Sequence, residues 1–441
     1  MKIGVLGAGI AGLSLAYYLR KKWPDCEITL VDKAERAGGV LSSVEEGDFF
    51  FSQGPSIFYT KRSFPLIQLI KDLGLESEVI SYAPANFKRY FWLDERLQTF
   101  TYNPIALFYS SLSRAIYGGL MREWSQPKNE DDESVYSFAS RRFGRGPMEK
   151  ILEPMMLSAH AGDIRNLSAW VTLRRFKELE KDYGSITRGM RLRREDQGYC
   201  PIDAIEQSDL FSLRGGMSAL IEPLLKLAQV QFKGGTSVEA ISPDGSVMTN
   251  QGKWEFDRVF STLPLPALAS AIDHPEVASF SSASRMTGII TVNLGYAGSV
   301  LKKKGIGYFV PTLERDDCLN AIFDSHIFPQ QNKQEGQTRL TYTLGGSLHP
   351  EFFELSDEEI LMRIYGCTHR HLDIGVKPDV AIIERYPDSL IEYCVGYNEK
   401  LQQLQIALKE QYPQLTLAGT VLGQFTVNDL IEKSAKITEH A

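Results

Sequence analysis

The strongest constraint on this chain lies at its start. An apolar run, Lys2-Ile3-Gly4-Val5-Leu6, leads straight into Gly7-Ala8-Gly9-Ile10-Ala11-Gly12 and then into a helical stretch from Leu13 to Leu19. Each glycine meets a separate steric demand. Gly7 permits the tight turn from strand to helix, Gly9 lets the backbone approach a pyrophosphate with no Cβ in the way, and Gly12 lets the helix pack closely on the strand. The helix N-terminus adds free N–H groups and a partial positive charge. A second strand, Glu27 to Val31, ends at Asp32, about twenty residues past Gly12, where a carboxylate can accept hydrogen bonds from a ribose diol. Strand, loop, helix, strand and acid in this order specify a dinucleotide-binding α/β fold. NAD and FAD are both open at this point.

At 441 residues the chain exceeds one ordinary domain of roughly 100–200 residues. A composition of 43% hydrophobic and 23% charged residues supports a large core, and the net charge of -7 argues against nucleic acid as a partner. The five cysteines are scattered without a CxxC pair, which fits reduced, mostly buried thiols in a cytosolic setting. Among the seven histidines, His369 and His371 stand two apart and could share a strand face. No Cys or acidic ligand cluster joins them in sequence, so they read as surface residues and no metal site is expected. The first apolar run lacks a basic leader and a cleavage site, and no stretch of roughly 18 apolar residues occurs. The expected location is cytoplasmic.

Further along, Phe64 to Leu75 reads as an amphipathic helix ending at Gly74, and Tyr90 to Leu93 as a strand that turns at Asp94-Glu95 and returns from Leu97 to Phe100. Ile105, Phe108, Leu112, Ile116 and Leu120 recur at helical spacing between Pro104 and Trp124, flanked by Arg114 and Arg122. That helix either packs on its own domain or dips into a membrane interface. Ser134 to Gly144 predicts a helix, and Met148 to Met156 a second one interrupted at Pro154. Residues 230 to 262 predict a β-meander followed by a buried strand that returns to the first domain.

The segment after Asp32, Glu35-Arg36-Ala37-Gly38-Gly39-Val40, resembles the flavin amine oxidase superfamily, with Val40 where most members carry Arg. Phe51-Ser52-Gln53-Gly54-Pro55-Ser56-Ile57 resembles the loop that runs beside the isoalloxazine ring in these enzymes. Other segments are more specific. Arg141-Arg142-Phe143-Gly144, Ala161-Gly162-Asp163, Phe211 to Met217, Phe323-Asp324-Ser325 with Phe328-Pro329, and Thr341 to Ser347 resemble the oxygen-dependent protoporphyrinogen oxidase family over nearly the whole chain. Leu417-Ala418-Gly419, Gly423 and Thr426 to Asp429 resemble its closing FAD motif, with departures at Thr420 and Gln424. Ile391-Glu392-Tyr393 and Gly396-Tyr397 depart from the family's Pro-Gln-Tyr and Gly-His.

The resemblance implies an FAD-binding dinucleotide fold of the amine-oxidase type, with an α+β substrate domain and a mostly helical domain. The implied FAD-binding domain spans 1–62, 208–270 and 415–441. The substrate domain spans 63–100, 185–207 and 271–414, and the helical, membrane-contacting domain 101–184. FAD contacts are implied at Gly7, Ala8, Gly9, Ile10, Ala11, Gly12, Asp32, Lys33, Arg36, Gly39, Val40, Gly54, Pro55, Ser56, Ile57, Val238, Gly423, Phe425, Thr426 and Val427. Arg89 matches the family's arginine that pairs with a substrate propionate, a task suited to a bidentate guanidinium, and Lys88 is its alternative. No protein base is assigned. The implied reaction oxidises protoporphyrinogen IX to protoporphyrin IX in heme biosynthesis, with hydride transfer to the flavin and dioxygen as the reoxidant. Coproporphyrinogen III is the alternative substrate. Another flavin amine oxidase or desaturase, and a GDP-dissociation-inhibitor-like binding protein, are the rival classes. A homodimer and peripheral contact with a membrane remain open.

Overall fold

The computed structural model describes residues 1–82, 88–99, 110–192, 202, 205 and 208–441. Five parallel strands form its first sheet, in the order Gln231–Lys233, Glu27–Val31, Lys2–Leu6, Arg258–Ser261 and Leu415–Leu417. A parallel sheet is covered on both faces, so its strands are apolar on both sides. Ile3, Val5, Leu30 and Phe260 face one core, and Leu6, Val31, Val259 and Leu417 face the other. Each buried aliphatic side chain of this kind contributes about 1.5–3 kcal/mol.

The first core holds the helices Ile10–Lys22, Phe64–Asp72, Ile221–Ala228 and Val427–His440. The second holds Leu265–Ala271, Pro275–Ala283 and Tyr397–Gln411. The helices starting at Phe64, Pro275 and Tyr397 therefore belong with the dinucleotide-type sheet, and the expected boundaries at 63, 271 and 415 shift accordingly. Sequence periodicity shows that a helix has an apolar face, not which sheet covers it. The expected meander contracts to three antiparallel strands, Val238–Ile241, Ser246–Thr249 and Gly252–Glu255, because Gln231–Lys233 joins the parallel sheet instead.

A seven-stranded sheet makes the second layer system, in the order Val380–Glu392, Arg285–Tyr296, Thr338–Gly345, Asn320–Ile322, Gly307–Phe309, Arg89–Leu93 and Arg96–Thr99. Asp94 and Glu95 close the last hairpin with φ of 53° and 56°, the left-handed pair that a two-residue turn requires. The helix Asp357–Leu372 covers one face of this sheet, with Ile360, Ile364 and Cys367 buried against Tyr308, Tyr342 and Leu344. Its start is set by a capping box between Ser356 and Glu359.

The third unit is helical. Val135–Phe143 starts at a Ser134 cap, and Phe138, Met156, Leu167 and Leu179 share its core. At Pro154 the expected interruption is a change of helix type rather than a break. The proline stands in the first turn of Glu153–His160, and the chain absorbs its missing N–H in a π-helical turn over Met148–Leu152 just before it. Of the predicted 104–124 helix, Ser111–Glu123 is helical, and the upstream part with Ile105 and Phe108 lies outside the described residues.

Segments far apart in sequence dock here. Ser347 N–H donates to the Ala161 carbonyl at 2.7 Å, and Asp163 N–H donates to Glu392 Oε1 at 2.8 Å. A Cβ on Gly346 would lie 2.8 Å from that same Ala161 oxygen, which accounts for glycine at this close approach.

Candidate active site

The glycine loop sits at the C-terminal edge of the parallel sheet, between the first strand and the first helix. Gly7 has φ of 99°, and its Cβ would strike Thr262 Oγ1 at 2.5 Å. A Cβ on Gly12 would lie 1.9 Å from the Gly7 carbonyl oxygen. Gly9 differs from both, because a Cβ there meets nothing within 4 Å. The loop is thus packed tightly at Gly7 and Gly12 and open at Gly9, at the N-terminus of the Ile10–Lys22 helix. The first-turn N–H groups of a helix have no acceptor within it, and no acidic side chain occupies this first turn.

Asp32 lies beside the loop. Its Oδ2 accepts from Ala8 N–H at 2.7 Å and its Oδ1 from Ala34 N–H at 2.9 Å. Both oxygens keep further lone pairs for a diol. Thr236 N–H donates to the Asp32 carbonyl at 2.8 Å, which brings Val238, two residues on, to the same end of the sheet. Gly38 N–H donates to the Ala8 carbonyl at 2.8 Å, and a Cβ on Gly39 would lie 3.2 Å from Gly9 Cα. The 35–40 segment therefore runs against the open position of the loop. Arg36 Nη2 donates to the Gly39 carbonyl at 3.3 Å. Val40 is 48% exposed, and its carbonyl backs onto Gly54, where a Cβ would come within 2.6 Å. The chain then runs through Pro55, Ser56 and Ile57. Lys33 stands exposed beyond Asp32.

The closing motif reaches the same region through the last helix, whose Ser434 hydroxyl meets the Ala11 carbonyl at 3.2 Å. Thr426 caps that helix by accepting from Asp429 N–H at 3.1 Å, leaving Val427 at its first turn. Gly423 has φ of 78°. Two tyrosines hold the preceding loop. The Tyr393 hydroxyl donates to the carbonyls of Thr420 (2.9 Å) and Gln424 (3.3 Å), and Tyr397 to that of Val421 (2.9 Å). His160 packs on Phe425 with ring centroids 4.0 Å apart, and burial pushes its imidazole down to about 4, so it is neutral at physiological pH. In the sequence Tyr393 stands where the family pattern has Tyr and Tyr397 where it has His, which gave neither a role, and His160 went unnoticed.

Among the described residues, buried Gln53 Nε2 and Gln424 Oε1 have no hydrogen-bond partner. Gln53 directly precedes Gly54, and Gln424 lies between Gly423 and Phe425. A free donor and a free acceptor at these two places, together with the open Gly9, suit a ligand with phosphates at one end and a polar ring edge at the other.

The model of the flavin containing amine oxidoreductases matches residues 10–424. The chain belongs to that family. The family assignment decides between the two cofactors that the glycine loop alone leaves open, in favour of a flavin, and the chain is a flavin oxidoreductase. It is 27% identical to the coproporphyrinogen III oxidase of Bacillus subtilis over 454 residues, covering 97% of this chain and 95% of the relative. It is 28% identical to the protoporphyrinogen oxidase of Bos taurus over 457 residues, again 97% and 95%. A crystal structure from Exiguobacterium sp. 255-15 superposes with a TM-score of 0.83 at 23% identity, over 100% of this chain and 98% of that one, and shares the fold.

Arg89 opens the strand Arg89–Leu93, which lies between Gly307–Phe309 and the edge strand Arg96–Thr99 of the seven-stranded sheet, half-buried, with its guanidinium over the Phe309 ring at 5.0 Å. The rest of the expected substrate segment includes Asn86 and Phe87, which lie outside the described residues. Asp324 is half-buried and accepts from Thr341 Oγ1 at 2.8 Å. Burial pushes its carboxyl up to about 6, against the opposing pull of Arg339.

The reading of His371 needs correction. His369 and His371 lie on the Asp357–Leu372 helix rather than on a strand, and His371 is buried. Asp316 and Cys318 do stand beside it, contrary to the expectation from spacing. They come from a loop some fifty residues upstream, a juxtaposition created only by folding of the sheet beneath the helix.

Proposed function

We propose that this chain is an FAD-dependent oxidase that converts protoporphyrinogen IX to protoporphyrin IX, with dioxygen as terminal acceptor. The observation that carries porphyrinogen oxidation is similarity along nearly the full length, 97% of the chain, to relatives that carry that activity in their names. FAD when bound supplies the two-electron acceptor, and three such oxidations separate a porphyrinogen from a porphyrin. The protein's part is to bind and orient. The Gly7–Gly12 turn and the first helix hold the pyrophosphate, Asp32 the ribose, and the N-terminus of the last helix stabilises negative charge at the pyrimidine end. Arg89 takes a propionate at the rim of the substrate site.

Aerobic incubation of the purified protein with protoporphyrinogen IX and, separately, coproporphyrinogen III tests this reading by porphyrin fluorescence. Faster gain with protoporphyrinogen supports it. Gain with coproporphyrinogen alone supports the second reading, which the 27% identity to the Bacillus subtilis enzyme favours. No gain with either, over a boiled control, rejects porphyrinogen oxidation. A colourless preparation rejects FAD.

Peripheral contact with a membrane is part of the same proposal. Among the described residues no helix is long and apolar enough to cross a membrane. Leu120, Met121, Trp124, Met190 and Leu192 are nevertheless exposed. Trp124 Nε1 donates to Thr187 Oγ1 at 2.6 Å, which ties the end of the Ser111–Glu123 helix to the start of the Ile186–Leu192 helix. Sedimentation with anionic liposomes tests it, and a protein that stays in the supernatant overturns it.

A further inference from the structure

We propose that Cys318, Cys367, His371 and Asp316 form a structural site for a thiophilic divalent cation, best met by zinc, that fastens the Asp357–Leu372 helix to the seven-stranded sheet. The ligand atoms of Asp316, Cys318 and His371 all lie within 4.8 Å of one another. Asp316 bridges to the fourth residue, since His371 Nε2 is 3.0 Å from its Oδ2 and Cys367 Sγ is 3.1 Å from its Oδ1. Zn–S bonds of about 2.3 Å and Zn–N bonds of about 2.0 Å require donors between roughly 3 and 4 Å apart in a tetrahedron, so Cys367, which groups with Asp316 and Asp317, has to draw in toward Cys318 and His371 around the ion.

The donor chemistry selects the metal. Two thiols and an imidazole disfavour magnesium and calcium, which take oxygen ligands, and favour zinc. Four protein donors with no open position make a structural rather than a catalytic site. The spacing is also apt. Cys367 and His371 are four apart on one helix and share a face, and Asp316 and Cys318 are two apart on the facing loop.

The surroundings complete the site. The His371 Nδ1 atom is 2.8 Å from the Tyr308 hydroxyl, and the imidazole lies against Trp92 with ring centroids 3.9 Å apart. If Nδ1 carries the proton and donates to Tyr308, Nε2 presents its lone pair to a metal, the usual orienting role of a ligand's outer partner. Two thiolates and a carboxylate around a divalent ion leave one negative charge in excess. Arg370 already stands there, with Nη2 3.0 Å from Asp316 Oδ2 and 3.5 Å from Cys367 Sγ. Without a cation, the same residues form an ordinary Asp–His–Tyr hydrogen-bond chain, and metal analysis separates the two.

The test uses the full flavoprotein, expressed without a histidine tag, incubated with zinc, desalted and analysed by plasma mass spectrometry. We expect about one zinc per chain, and less than a tenth of that in Cys318→Ala and Cys367→Ala. Tyr308→Phe should weaken zinc by roughly 10–100-fold against a chromophoric chelator. Retained flavin absorbance and far-UV circular dichroism establish that the variants are folded. Should the cysteine variants fail to fold, cobalt loading of the wild type decides. Ligand-field bands of a tetrahedral thiolate site, to the red of the flavin absorption, support the proposal. A wild type with less than a tenth of an equivalent of zinc, cysteine variants that bind as much as the wild type, or a cobalt-treated wild type without those bands overturns it.

Discussion

The Tyr393 hydroxyl donates to the Thr420 carbonyl at 2.9 Å and so pins the loop that leads into the last helix. That hydroxyl is buried and its phenol is held well above its usual range by burial, so it remains a donor throughout the working pH range. Tyr393→Phe keeps the ring but removes the donor to the Gln424 carbonyl, while that of Thr420 retains its bond from Gly423 N–H. We expect a loss of about 1 kcal/mol, roughly five-fold in FAD affinity, measured by titrating apoprotein with FAD. Unchanged affinity would show that the loop is held by packing alone.

Gly9 and Gly12 should behave oppositely when each is changed to Ala. The added methyl at Gly9 enters open space, so Gly9→Ala should fold with a melting temperature close to that of the wild-type apoprotein, yet retain FAD at least tenfold more weakly. The methyl at Gly12 would lie 1.9 Å from the Gly7 carbonyl oxygen, so Gly12→Ala should lose several kcal/mol of stability. Thermal melts of the two apoproteins, with flavin content beside them, distinguish these outcomes.

His160 introduces a pH dependence with a definite sign. Its folded-state value is about 4, below the ordinary 6.5 of the unfolded chain. The unfolded state therefore binds the extra proton, and the stability contributed by the neutral imidazole is fully present above pH 6.5 and lost as pH falls toward 4. His160→Phe keeps an aromatic ring against Phe425 and removes the titration. The stability difference between wild type and variant, from urea unfolding, should move against the wild type between pH 6.5 and 4. A pH-independent difference would place the imidazole outside the buried pair.

Asp324 has the opposite sign. Its folded-state value is raised from 3.8 to about 6, so the native state holds the proton more tightly than the unfolded chain. The stability gained from the protonated acid is complete below pH 3.8 and lost as pH rises through 6. Wild type should therefore lose stability relative to Asp324→Asn between pH 4 and pH 6.5, read by the same urea series.

Arg89→Ala should raise the KM for the porphyrinogen or lower kcat while flavin content stays at the wild-type level. Lys88→Ala, the neighbouring alternative, should leave both constants unchanged. Reversal of that pattern would move the substrate contact by one residue.

How much of this was legible beforehand depended on the range of the interaction. The Gly7–Gly12 turn and Asp32 could be read because strand, turn and helix follow one another, and each glycine answers to a neighbour only a few residues away. The turn at Asp94-Glu95 was legible for the same reason, though not its left-handed backbone. The contact of His160 with Phe425, the tyrosine bonds to the closing loop and the meeting of Asp316 with His371 were not. Each joins residues dozens to hundreds of positions apart, and nothing in local periodicity encodes which helix settles on which face. The interruption at Pro154 was legible but its form was not, because a chain can absorb a missing N–H in a π turn as well as by breaking the helix.

The parallel sheet takes its strands from residues 2–6, 27–31, 231–233, 258–261 and 415–417. The glycine loop is synthesised before every strand of the sheet but the first, and the helix that faces it from the closing motif only after all five. During synthesis the half-built site must wait, with the apolar surface destined for the Val427–His440 helix uncovered, until that helix has been made. A nascent chain stalled anywhere before Leu415 would present that uncovered surface to chaperones and proteases with no cofactor to shield it.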